Sequence, residues 1–259
     1  VDTPAFANTK SLKFSNFDYL SANASSVQNI LGRSSNGSGS ADAWTVAFYF
    51  KPSSSNNNFQ FPFYYGSSDV NNGNHIRVRY MGTSSKTFWF EYGSSYNYLR
   101  HILPNNTFTD NTWHHVMITY DGGTTGTSAG SINDYHSRFT IFVDGVTPSG
   151  ILKLHGNNGN SAALTGQNFH IARYDQYGYL HQNTKVDEFA IWDSDQSSNV
   201  ASIYNGGAPH DLSLLGTAPN HWWRTGDGDT YPTISANIGC VDFTMNTMTA
   251  ATIVNGAGE

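Results

Sequence analysis

Asn111-Thr112-Trp113-His114-His115-Val116-Met117-Ile118-Thr119-Tyr120-Asp121-Gly122 reads as one β-strand running into a turn. Two further stretches read the same way, Phe139-Thr140-Ile141-Phe142-Val143-Asp144-Gly145 and Lys185-Val186-Asp187-Glu188-Phe189-Ala190-Ile191-Trp192. β-Branched and aromatic residues dominate all three, as strands require. Asp144-Gly145 is a hairpin signal, because both residues tolerate positive φ.

Working outward, Ser11 to Phe14 alternates and opens the series. In Trp44 to Phe50, period two puts Trp44, Val46, Phe48 and Phe50 on one face, and Lys51-Pro52 ends the strand. Phe61 to Tyr65, His75 to Tyr80 and Thr87 to Tyr92 are three more strands. In the second of these, Ile76, Val78 and Tyr80 face in and Arg77 and Arg79 face out. Phe169 to Tyr174 and Val186 to Trp192 complete the run. Gly32 to Asp42, Asn71 to Asn74, Gly82 to Ser85 and Gly122 to Ser131 are polar spacers or loops. Val200, Ile203 and Tyr204 have helical spacing, with Asn205-Gly206-Gly207 and Pro209 as the stop. About eleven short strands and one helix predict an all-β, two-sheet antiparallel sandwich.

Composition narrows the function classes. Charged residues make up 12% of the 259 and aromatics 14%, which excludes disorder and suits an extracellular or virion-type β-protein. Thirteen basic and 19 acidic residues, with no Lys/Arg run, leave no source for a phosphate-tracking groove, so nucleic acid is not an expected partner. No apolar run approaches the ~20 residues of a membrane span, so no insertion is expected. Val1-Asp2-Thr3-Pro4 lacks the features of a signal peptide. Processing, or release by virion assembly and lysis, is the expected route outward. Cys240 is the single cysteine, which excludes an internal disulfide, and it is expected to be a small buried apolar residue. Sequons at Asn23, Asn36 and Asn105 carry little weight in so Asn- and Ser-rich a chain.

In order, these pieces resemble the laminin-G-like (concanavalin A-like) jelly-roll modules. The resemblance lies in Trp113-His114-His115-Val116 leading to Tyr120-Asp121-Gly122, then Val143-Asp144-Gly145, then Asp187-Glu188, and finally Tyr204-Asn205-Gly206. It covers residues 9 to 207 and implies glycan binding, adhesion, assembly or polysaccharide cleavage, because one fold hosts many functions. His221-Trp222-Trp223-Arg224-Thr225-Gly226-Asp227-Gly228 and its continuation resemble the segment that opens such a module, here displaced to the end. The expected layout is therefore a jelly roll over 1–216. Segment 217–259 would close the same sandwich, as in a circular permutation, or swap to a neighbouring subunit. The wording of Trp222 to Thr233 is similar to that of virion proteins of marine tailed phages.

Catalysis has little support in the residues. Laminarinase-type hydrolases of this fold carry Glu-x-Asp-x-Glu on one strand. This chain has only Glu91, Glu188 and Glu259, none in that pattern. Asp187 and Glu188 would point to opposite faces of a regular strand, as a strand-end pair making structural hydrogen bonds. The motifs of alginate-lyase-type jelly rolls are absent, and His170, Arg173 and Tyr174 alone are a weak signal. His114 and His115 would also face opposite ways, against a shared metal. Calcium is the one candidate cofactor, at Asp69 to Asn74 or at Asp227 and Asp229, where rim loops of this family hold it. Sugar stacking needs aromatics beside polar loops, which singles out Tyr96, Tyr98, Tyr174, Tyr177 and Tyr179. The leading expectation is a non-enzymatic virion structural or adhesion protein: a tail-fibre, capsid-fibre or decoration component at the virion surface. Its partners would be other virion proteins, further copies of itself in a homo-oligomer, and a cell-surface glycan. The alternative is a secreted bacterial carbohydrate-binding module. A third reading is a polysaccharide lyase or hydrolase with a non-standard site.

Overall fold

The computed structural model describes residues 6–15, 17–31, 43–53, 59–67, 73–82, 86–94, 96–122, 136–156, 164, 168–174, 178–179 and 183–257. The Gly32–Asp42 spacer, most of the Gly122–Ser131 loop, and residues 71–72 and 83–85 lie outside them.

In chain order the strands are β1 (Lys10–Phe14), β2 (Tyr19–Ala22), β3 (Trp44–Lys51), β4 (Phe59–Gly66), β5 (His75–Met81) and β6 (Thr87–Gly93). There follow β7 (Tyr98–Ile102), β8 (His114–Tyr120), β9 (Phe139–Val143), β10 (Leu152–His155), β11 (Asn168–Ile171) and β12 (Arg173–Tyr174). The last are β13 (Gly178–Tyr179), β14 (Thr184–Trp192), β15 (His221–Trp223), β16 (Thr233–Ile234), β17 (Phe243–Asn246) and β18 (Ile253–Asn255). Helix α1 (Gln28–Leu31) is one turn that the periodicity did not show. Helix α2 (Val200–Tyr204) is the expected one, and Asn205 ends it in the left-handed region at φ 48°.

Two antiparallel sheets face each other. The seven-stranded sheet runs β18-β1-β14-β3-β8-β9, with β15 also on β14. The nine-stranded sheet runs β10-β7-β6-β5-β4-β11-β2-β17-β16. The alternating residues fill the space between them as the period requires: Trp44, Val46, Phe48 and Phe50 from one sheet meet Ile76, Val78 and Tyr80 from the other. Phe169 is an aromatic hub, with Phe243 at 4.8 Å and Trp223 at 5.7 Å between ring centres. A smaller apolar cluster, including Met117, Trp192, Ile203 and Trp222, sits on the opposite face of the seven-stranded sheet, where α2 packs.

Several local expectations are refined. Phe169–Tyr174 is two strands, not one, because Ala172 takes φ 73° and breaks the ladder. Pro62 falls inside β4, next to a register shift between Gln60 and Phe63 that accommodates its missing N–H. Asp144 and Gly145 turn at φ 51° and 79°, yet only a single bridge, Val143 to Val146, follows. Cys240 is exposed rather than buried. It lies in the turn after Gly239 (φ 96°), and Val241 beside it is the residue that enters the core.

The C-terminal residues join both sheets. β15 and β1 lie end to end along one edge of β14, Trp223 opposite Phe189 and Leu12 opposite Val186. β18 pairs with β1, while β17 pairs with β2 and β16. Removing residues 217–259 is therefore expected to abolish stable folding, read as loss of the cooperative thermal transition. A soluble monomeric remnant with an unchanged melt is the contrary result. Cys240 is expected to react with a thiol reagent in native buffer at a rate close to that of the denatured chain.

Candidate functional site

Along β5, His75, Arg77 and Arg79 lie on the face of the nine-stranded sheet that points away from the core. Pairing places Arg77 opposite Glu91 and Arg79 opposite Trp89 on β6. Glu91 in turn stands opposite Arg100 on β7. The row continues through Tyr64, His170, Ser21 and Thr244, so one register line crosses the sheet.

Glu91 is fully buried and is the one carboxylate in this group. Arg100 donates to its Oε2 from Nε at 2.6 Å and Nη2 at 2.5 Å. Arg77 binds Oε1, with His75 Nε2 at 3.2 Å, and Arg79 Nη2 approaches Oε2 at 3.3 Å. Burial works to raise the Glu91 pKa, but His75 and the three guanidiniums outweigh it and hold the carboxyl well below its ordinary range. Burial, then the neighbouring Arg77, lowers Arg79 to about 9, so it keeps its charge at neutral pH.

Aromatic rings interleave with these cations. Arg79 lies 4.0 Å from the Trp89 ring and 4.7 Å from Phe59. Arg100 lies 4.9 Å from Trp89 and 4.2 Å from Tyr98. Arg77 is stacked at 4.5 Å under Tyr174, which itself stacks on Phe61. Tyr174 arrives on the small β12–β13 hairpin, which lies against β4. The result is a strip of half-buried rings and guanidinium edges able to stack on a sugar ring and to bond its oxygens.

Of the tyrosines singled out in the sequence, Tyr98 and Tyr174 flank this strip. Tyr96 is 61% exposed in the β6–β7 turn. Tyr179 pairs through its backbone with Arg173, and Tyr177 lies outside the described residues. Sequence reasoning missed Glu91, Arg100, Trp89 and Phe59. The outward Arg77 and Arg79 were the available signal, but only strand register shows what faces them.

The calcium candidates are placed differently. Asp69 lies outside the described residues, and the Asn74 carbonyl accepts from Ser67 N. Asp227 accepts from Thr9 N and Oγ1 and pairs with Arg224 at 3.3 Å. Asp229 accepts from Gly226 N and Ser235 N. Asp229 thus fastens the C-terminal turn to itself, and Asp227 fastens it to Thr9, just before β1. Among the described residues no group of three or more His, Cys, Asp or Glu could hold a metal ion.

Asp187 and Glu188 occupy the middle of β14, not its end. The strand is irregular there: the register shifts between Asp187 and Ala190, and Glu188 takes φ 50°. This bulge lies where β1 stops and β15 begins on the shared edge. Asp187 accepts from Thr225 Oγ1, Glu188 N and Ala257 N. Glu188 accepts from Asn8 Nδ2 at 2.5 Å and Trp222 Nε1 at 2.6 Å, with Arg224 Nε at 3.4 Å. Burial raises both pKa values, and for Asp187 the neighbouring Glu188 charge adds to it. His114 and His115 do point to opposite faces: His114 bonds Asp144 Oδ2 at 2.7 Å, whereas His115 packs on Tyr49.

The family model described as the concanavalin A-like lectin/glucanases superfamily matches residues 24–199. No curated protein sequence matches the chain. Among solved structures, a candidate carbohydrate-binding protein from Bacteroides ovatus aligns at TM-score 0.56 and 17% identity. That alignment covers 95% of this chain, which spans 60% of the length of the Bacteroides protein. A heptameric SAP-like pentraxin from Limulus polyphemus aligns at TM-score 0.49 and 14% identity, over 96% of this chain and 98% of its own. The CBM40 module of a Ruminococcus gnavus sialidase, bound to α2,3-sialyllactose, aligns at TM-score 0.47 and 11% identity, over 76% and 99%.

Because the folded pKa of the Asp187–Glu188 pair is raised, the native state holds a proton that the unfolded chain has released. That stabilisation is complete below the ordinary carboxylate range and is lost as pH rises through the raised values. This contribution is expected to fall from pH 5 to pH 8, against the rise that the buried neutral histidines give over the same range, and Glu188→Gln is expected to remove it, read as the pH-dependent difference between the two proteins in a series of melts.

Proposed function

We propose that this chain, which belongs to the concanavalin A-like lectin/glucanases superfamily, is a non-catalytic carbohydrate-binding module. Its binding surface is the outer face of the nine-stranded sheet. The observation that carries this reading is the strip of Phe59, Trp89, Tyr98 and Tyr174 interleaved with Arg77, Arg79 and Arg100. Rings of this kind offer flat apolar area at low entropic cost, and guanidinium edges add hydrogen bonds that orient a saccharide. The name of the Bacteroides structure agrees with this reading.

Absence of catalysis is proposed on the bonding of the acidic pair. Asp187 and Glu188 are buried and engaged by residues near both ends of the described chain, so this pair is not free to flank a glycosidic bond. A secreted location fits a sugar-binding module better than the virion surface, since virion display is supported by the wording of Trp222 to Thr233 alone. The layout we propose is a single sandwich that its own C-terminal segment closes, with β15 running on toward β1 as in a circular permutation.

The isolated chain is expected to be retained in affinity electrophoresis on at least one polysaccharide, without releasing reducing or unsaturated ends. Trp89→Ala is expected to weaken retention by tenfold or more, about 1.4 kcal/mol. No retention across a broad glycan panel would reject the reading.

A further inference from the structure

We infer that the outer face of the nine-stranded sheet selects acidic saccharides, those bearing carboxylate or sulfate groups. This rests on the carbohydrate-binding reading and names the ligand class for the same surface.

Among the described residues of this cluster the charge is unbalanced. Arg77, Arg79 and Arg100 converge on the single carboxylate of Glu91. Three positive charges against one negative leave +2, in a chain whose formal charge is −6. His75 adds no charge at neutral pH, because burial lowers its pKa. One guanidinium is enough to neutralise a buried carboxylate. The second and third repel the first, and packing alone does not explain them. An external anion would complete the set.

Donors are also in excess. Each guanidinium offers about five N–H donors, while one carboxylate accepts about four hydrogen bonds. Nε of Arg77, Nε of Arg79 and Nε1 of Trp89 are buried with no acceptor among the described residues. Neutral sugar hydroxyls donate as well as accept, so a neutral ligand needs acceptors from the protein. In this group the carboxylate oxygens are already taken by arginines. A carboxylate or sulfate needs donors only, and the planar guanidinium fork matches either.

Access sorts the three arginines. Arg79 and Arg100 keep 12% and 17% of their side-chain surface exposed and flank Trp89. Arg77 lies beneath Tyr174 and holds Glu91 in place. A sugar ring on Trp89 would thus carry its charged substituent between Arg79 and Arg100.

The test is calorimetry on the whole chain at low ionic strength with two matched pairs: dextran sulfate against dextran, and oligogalacturonate against its methyl ester. The acidic member of at least one pair is expected to bind tenfold or more tightly than its neutral partner, and added salt is expected to erode that preference. The pair that responds distinguishes sulfate from carboxylate recognition. Arg100→Gln is expected to abolish the preference with a near-native melt. If it does not fold, Arg100→Lys, which keeps the charge and loses the fork, is expected to weaken binding several-fold. Equal affinity for charged and neutral members, or an unaltered preference in a folded Arg100 variant, would overturn the acidic selectivity and leave the sugar-binding reading intact. Failure to bind any of the four also overturns this inference, and a neutral-glycan panel then judges the sugar-binding reading separately.

Discussion

Two adjacent carboxylates buried in the middle of a strand must be met by donors, and the rest of this architecture follows from how that demand is satisfied. Asp187 and Glu188 sit in a bulge on β14, at the break between β1 and β15. An unpaired buried carboxylate costs several kcal/mol, roughly. The donors come from far along the chain: Asn8 before β1, Trp222, Arg224 and Thr225 around β15, and Ala257 after β18. Meeting them draws both ends of the described chain onto one strand. Once β15 is docked, Trp223 enters the core against Phe169 and Phe243, and β17 extends the nine-stranded sheet past β2.

The nine-stranded sheet then separates two kinds of chemistry by the pleat alone. Its inner face contributes Val78, Phe88 and Phe90 to the core. Its outer face, one residue out of step, carries Arg77, Trp89, Glu91 and Arg100. The same alternation that secures the sandwich therefore mounts the proposed sugar surface on rigid strands rather than on loops. The β12–β13 hairpin adds Tyr174 over Arg77, so part of that surface is roofed and its dielectric lowered, which strengthens the pull of the guanidiniums on Glu91.

Legibility in the sequence followed element length. Strands of five to nine residues, such as β3, β5, β6, β8 and β14, have room for a period of two to show, and their faces were readable. The C-terminal strands β15 to β18 are two to four residues long, too short for any pattern, and only their resemblance to a displaced opening segment marked them. Ala172 and Glu188 at positive φ were not readable, because neither residue type announces that conformation. Cys240 was expected inside on the strength of cysteine's general preference, but its own turn leaves it at the surface. Of the proposed strip, Tyr98 and Tyr174 could be picked out by residue type, whereas Tyr96, chosen by the same reasoning, stands exposed in the β6–β7 turn. Arg100 and Glu91 were passed over because nothing near them in the chain says they meet.

The sequence by itself determined which side of each long strand is apolar and that polar, turn-forming residues separate the strands, and hence that two sheets close on one core. These are local properties, set by a side-chain period of two and by the few residues that accept turn geometry. The tertiary structure decided which strands became neighbours and in what register. It alone brought Glu91 between Arg77 and Arg100 and tied Asn8 and Trp222 to Glu188 across separations of 180 and 34 residues. Register is settled by burying both faces correctly and by satisfying buried polar groups at once, a condition on the whole chain that no local segment contains.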